Sequence, residues 1–113
     1  MDEDRLIQEL RTLRHGRGVS VPKMQYCLAL FEVLGTTSPE VAYERLLECL
    51  EDLGPGPDAE ALRDAFGVGA DPGPTLEVRR YRLAARLDVT PKTLQYREDL
   101  AIQELARLLF ATE

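Results

Sequence analysis

The chain has 113 residues, 44% of them hydrophobic and 30% charged, with a formal net charge of −6. That length suits one domain around one core, and that apolar content excludes wholesale disorder. A single histidine, two cysteines and no tryptophan leave little hardware for catalysis, so no enzyme, no cofactor and no metal site is expected.

The apolar residues recur at helical spacing along the whole chain. Leu6, Ile7, Leu10 and Leu13 predict a helix over 3–14, stopped by Gly16 and Gly18. Arg11 and Arg14 fall in its last turns, where cations suit the negative end of the helix dipole. Val21-Pro22 opens a second helix that the pattern carries to Leu34, burying Met24, Cys27, Leu28, Phe31 and Leu34, with Gly35 as its stop. Ser38-Pro39-Glu40 combines a hydroxyl cap, a proline at the first helical position and an acid in the first turn, and predicts a third helix to about Leu53. Gly54-Pro55-Gly56-Pro57 is a linker. Asp58 is the expected cap of a short fourth helix carrying Leu62 and Phe66, followed by a loop over 67–74. Thr75 caps a fifth helix to about Leu87, and Thr90-Pro91 starts a sixth that runs to about Phe110. The expected domain is single and helical, over 1–113, with N-terminal helices in 1–53, a loop-rich segment with a short helix in 54–74 and a helix-turn-helix in 75–113.

No uncharged apolar run reaches the length of a membrane span, so no membrane is expected as a partner. Met1-Asp2-Glu3-Asp4 reads as neither a signal nor a transit peptide, and the expected setting is the cytoplasm with both thiols reduced. Cys27 and Cys49 sit on apolar faces as ordinary core residues, and His15 is expected at an exposed helix end. The acid pairs Glu51-Asp52 and Glu98-Asp99 are expected on polar faces.

Charge comes in blocks. Residues 11–23 carry Arg11, Arg14, Arg17 and Lys23 with no acid; residues 24–77 are strongly acidic; residues 79–97 carry Arg79, Arg80, Arg82, Arg86, Lys92 and Arg97 against Asp88 alone. A patch of one sign attracts a polyanion, whereas the same arginines paired with acids are a solvated helix face.

The second basic block overlaps a constellation between Arg80 and Asp99. Ala84 supplies the small residue needed where two helices touch. Leu83, Leu87, Val89 and Leu94 anchor both sides of a turn. Asp88 occupies a place that demands tolerance of positive φ, and Thr90 with Pro91 caps the following helix. The fold class expected is therefore all-α: a compact bundle of five to six helices with a C-terminal helix-turn-helix and an extended last helix.

These residues resemble the helix-turn-helix superfamily, especially the region-4-like modules of actinobacterial regulators. The tail from Glu98 to Ala106, Glu-Asp-Leu-Ala-Ile-Gln-Glu-Leu-Ala, and the upstream run from Leu10 to Gly18 are similar to segments of such proteins. The resemblance implies sequence-specific binding of double-stranded DNA in transcriptional regulation. Thr90, Lys92, Thr93, Gln95 and Tyr96 would face the bases, with Gln95 reading adenine and Lys92 reaching guanine or a phosphate. Arg79, Arg80, Arg82 and Arg86 would hold the sugar-phosphate backbone. Arg11, Arg14 and Arg17 would form a secondary basic contact. A homodimer or a protein partner through the last helix, whose apolar end is Leu108-Leu109-Phe110, is expected to supplement one recognition helix. The alternative is a non-enzymatic protein-interaction or adaptor domain on the same scaffold.

Overall fold

The computed structural model describes residues 3–68 and 74–111, and among these residues there are seven helices. They are α1 (Glu3–Thr12), α2 (Val21–Met24), α3 (Leu28–Leu34), α4 (Pro39–Asp52), α5 (Pro57–Ala65), α6 (Leu76–Leu87) and α7 (Pro91–Ala111). Among the described residues every regular element is helical, as expected. Residues 69–73 of the anticipated loop lie outside them. The Cα radius of gyration, 13.3 Å, is close to the roughly 13 Å of a compactly folded chain of this length.

Local cap chemistry sets three helix starts where the sequence placed them. The Ser38 hydroxyl accepts from the Val41 N–H at 3.3 Å, Thr75 from Val78 at 3.2 Å, and Thr90 from Thr93 at 3.1 Å. Each satisfies an amide that the first helical turn leaves without a partner. The start of α5 differs. Gly56, not Asp58, holds the cap position and Pro57 opens the helix. Asp58 falls in the first turn, where its charge suits the dipole instead.

The predicted helix over residues 21–34 is two helices. Cys27 departs from helical geometry with φ −94° and ψ 70°, and Leu28, expected on the apolar face, is exposed. The break is stabilised from α1: the Glu9 carboxylate accepts the N–H groups of Ala29 at 2.8 Å and Leu30 at 2.9 Å. A carboxylate at a helix N-terminus combines charge-assisted hydrogen bonds with a favourable dipole interaction. Glu9→Ala is expected to lower stability by about 1–2 kcal/mol in urea denaturation, and Glu9→Gln, which keeps one acceptor, by less.

The main core collects Leu6 and Leu10 from α1, Leu30 and Val33 from α3, Leu46 and Leu50 from α4, Leu62 and Phe66 at the end of α5, and Ile102, Leu105 and Leu109 from α7. Each such leucine contributes about 1.5–3 kcal/mol by leaving water. A smaller cluster of Ala61, Leu83, Ala84 and Leu94, with Val89 against it, joins α5, α6 and the start of α7. The far half of α7 thus belongs to the main core and its near half to the small one. Of the tail expected as a partner surface, Leu109 is fully buried, Phe110 packs partly buried on the main core and Leu108 is half-buried.

Two backbones cross closely where the α1–α2 connection meets the end of α5. The Val19 N–H donates to the Phe66 carbonyl at 3.0 Å. Gly18 sits at φ +94°, and a Cβ there would lie 2.3 Å from the Phe66 oxygen. Gly18→Ala therefore has both a strained φ and a clash with rigid backbone. A stability loss of about 2–4 kcal/mol is expected, seen as a lower denaturation midpoint with an unchanged slope.

Candidate nucleic-acid interface

Helix α6 buries Leu76, Arg79, Leu83 and Ala84, which leaves Glu77, Tyr81, Arg82, Ala85 and Arg86 on its outer side. It ends at Asp88, which takes φ 56° and ψ 47°, the left-handed conformation that its short polar side chain tolerates. The Val89 N–H closes the end by donating to the Ala84 carbonyl at 3.0 Å, a helix stop that also turns Val89 toward the small core. Thr90 then caps α7, and its hydroxyl lies 3.0 Å from that of Thr93.

In the first two turns of α7 only Leu94 and Glu98 are buried. Thr90, Lys92, Gln95 and Tyr96 are exposed and Thr93 is half-buried, so the five residues expected to face a ligand share the outward start of one helix. Arg82 and Arg86 stand on the exposed side of α6. Arg86 Nη2 lies 3.8 Å from Glu60 Oε1 of α5, a solvent-screened pairing.

Arg79 and Arg80 depart from the expected backbone-contacting role. Arg79 is 1% exposed. Its Nε donates to the Asp64 carbonyl at 3.0 Å, Nη1 to that of Gly16 at 2.8 Å, and Nη2 to those of Arg14 at 3.0 Å and Ala65 at 2.8 Å. One planar fork thereby satisfies the end of α5 and the connection after α1 together. Burial lowers its pKa, against the opposing charges of Asp64, Glu77 and Glu98.

Arg80 grips Glu98 with both arms, Nε to Oε2 at 2.8 Å and Nη2 to Oε1 at 2.7 Å. Its hydrogen bonds to Glu98 raise its pKa despite burial. Arg14 Nη1 meets the same carboxylate at 2.8 Å. Glu98, expected on a polar face, is 1% exposed: a carboxylate taken out of water requires this much compensation. The anticipated secondary contact is dispersed for the same reason. Arg14 is buried, Arg11 is half-buried with Nε 3.7 Å from Asp99 Oδ1, and Arg17 alone of the three is exposed. The cationic character of the α6–α7 surface accordingly rests on Arg82, Arg86, Lys92 and Arg97, and it is mild.

Both cysteines are buried and unbridged. Burial, then Glu9, pushes the Cys27 thiol up to about 11; burial, then Asp52 and Glu48, raises Cys49. Neither is a thiolate nucleophile at neutral pH. Among the described residues no group of three His, Cys, Asp or Glu side chains converges as metal ligands, and no helix is long and apolar enough to cross a membrane. No family model, no curated protein and no solved structure matches the chain.

Proposed function

We propose that α6, the turn through Asp88 and Val89, and α7 form a DNA-reading helix-turn-helix in transcriptional regulation. The observation that carries this reading is the outward presentation of Lys92, Gln95 and Tyr96 on a capped helix start preceded by a left-handed turn. In this reading Gln95 makes a bidentate contact to adenine and Lys92 reaches guanine or a phosphate. Arg82 and Arg86 fix register on the backbone. With Arg79 and Arg80 committed inside the protein, few phosphate contacts are left. About three contacts give a salt dependence of roughly −3 in log K against log[salt]. So shallow a slope goes with low affinity per copy, and two copies on paired half-sites make a specific complex.

Capture of fragmented genomic DNA on the purified chain at moderate salt, beside a Lys92→Ala/Gln95→Ala variant, tests the reading. Enrichment of a shared sequence by the unsubstituted chain alone is expected. Equal enrichment by both leaves only backbone affinity and removes the assigned reading role. A second reading, protein interaction through the same face, is favoured by the Arg86–Glu60 pairing and by exposed Tyr81, Tyr96 and Leu100. Absence of any enrichment by the folded protein selects it.

A further inference from the structure

We propose that the groove between α1 and the α2–α3 break is a binding site for a small anionic ligand with an apolar or aromatic body. The groove has a volume of about 450 Å³, within the range of small-molecule sites, and no residue of α7 lines it. Its buried apolar lining comes from Leu13 and Cys27, and the ring of Tyr26, 77% exposed, stands at its edge. Thr12, His15 and Lys23 supply polar groups. This is the pattern of a ligand site: an apolar lining with a few polar groups to orient what binds.

The charges select the sign of the ligand. Glu9 is the one carboxylate on the lining, and both its oxygens are engaged by the amides of Ala29 and Leu30. Its charge is directed at the start of α3. The Cys27 thiol is protonated and carries no charge. Lys23 is the cation on the lining. Its ammonium donates to the His15 carbonyl, which holds it at the groove and leaves two N–H groups for a ligand oxygen. Burial, then the charge of Arg79, lowers the Lys23 pKa, and an anion beside the ammonium favours its charged form.

The groove also abuts the segment that ties the two halves of the fold together. Leu13 and His15 flank Arg14, which grips Glu98 of α7, and the Arg14 and Gly16 carbonyls hold Arg79 of α6. A ligand at Leu13 and His15 therefore touches the segment on which α6 and α7 are anchored. This coupling rests on the DNA reading proposed above; the binding site does not.

The test titrates the full chain, without DNA, with 8-anilinonaphthalene-1-sulfonate, an aromatic anion that fluoresces in apolar surroundings. One saturable site per chain is expected. Lys23→Met, which keeps the apolar stem and removes the charge, should weaken it about tenfold, the worth of one charge-assisted hydrogen bond. Thr12→Trp, at an exposed helical position, should fill the groove and abolish binding with helicity unchanged. Glu51→Trp, outside the groove, should leave binding as it was. Unsaturable binding, or equal affinity in the Lys23→Met and Thr12→Trp variants, overturns the site. Where DNA capture succeeds, saturating probe is expected to change DNA affinity. An unchanged affinity overturns the coupling and leaves the site standing.

Discussion

Glu98→Gln is expected to lower the unfolding free energy by about 3–5 kcal/mol, the range for removing one member of a buried ion pair. The glutamate is the single anion between Arg80, which meets it through two hydrogen bonds, and Arg14, which meets it through one. Glutamine preserves the shape but turns an N–H donor toward a guanidinium that also only donates. Two buried or half-buried cations are then left facing each other, with Asp99 at 3.5 Å from Arg14 as partial compensation. Urea denaturation of the purified variant reads the loss directly. A loss below about 1 kcal/mol, the ordinary value of an exposed pair, would show that water reaches the cluster. Combining Glu98→Leu with Arg14→Met and Arg80→Met should recover much of the stability. The penalty in the single variant comes from uncompensated charge, and an apolar replacement of the whole cluster has none.

The parts of the fold legible in the sequence are those whose cause is local. Ser38, Thr75 and Thr90 each cap an amide three residues on, and Asp88 is one of the few residues other than glycine that accept the left-handed turn it takes. The parts that were not legible depend on distant chain. The amides opened by the break before Leu28 are satisfied by Glu9, 20 residues earlier, so the apolar period over 21–34 looked continuous. Arg14 and Glu98 are 84 residues apart. Charged residues are seldom fully buried, and by that rule the arginines of residues 79–86 belong on the surface. A faint signal did exist. Arg79 stands three residues after Leu76 and four before Leu83, and Glu98 stands four after Leu94 and four before Ile102, both inside apolar stripes at helical spacing. In the candidate site the outward residues of α7 were legible because helical period places them opposite Leu94. The division of the arginines between surface and interior was not, since it depends on which helix packs against which.

Arg79→Met should be more damaging still, with an expected loss of about 4–6 kcal/mol. Methionine occupies similar space but donates nothing, so the carbonyls of Arg14, Gly16, Asp64 and Ala65 lose their shared donor at once. A buried acceptor left without a partner costs on the order of 1–3 kcal/mol; the Asp64 carbonyl keeps the Gly67 N–H at 3.0 Å, and water can reach the Gly16 carbonyl more readily than those of Arg14 and Ala65. The loss reaches the lower end of the whole stability of a domain this size, about 5–15 kcal/mol. A broadened, poorly cooperative thermal transition is therefore the expected observation. Arg79→Lys separates charge from geometry. An ammonium keeps the charge but presents three donors from a point, and it cannot span four carbonyls drawn from two segments. Partial rescue by lysine is expected, and full rescue would show that charge alone suffices. Hydrogen exchange gives the local readout. The Val19 amide, bonded to Phe66 at the crossing that Arg79 braces, should lose protection first in the methionine variant. Helix α6 loses its anchor at the same point, and with it the small core that orients Lys92 and Gln95 at the start of α7. If the proposed DNA reading holds, DNA capture by this variant should fall with Val19 protection, although Arg79 itself is buried.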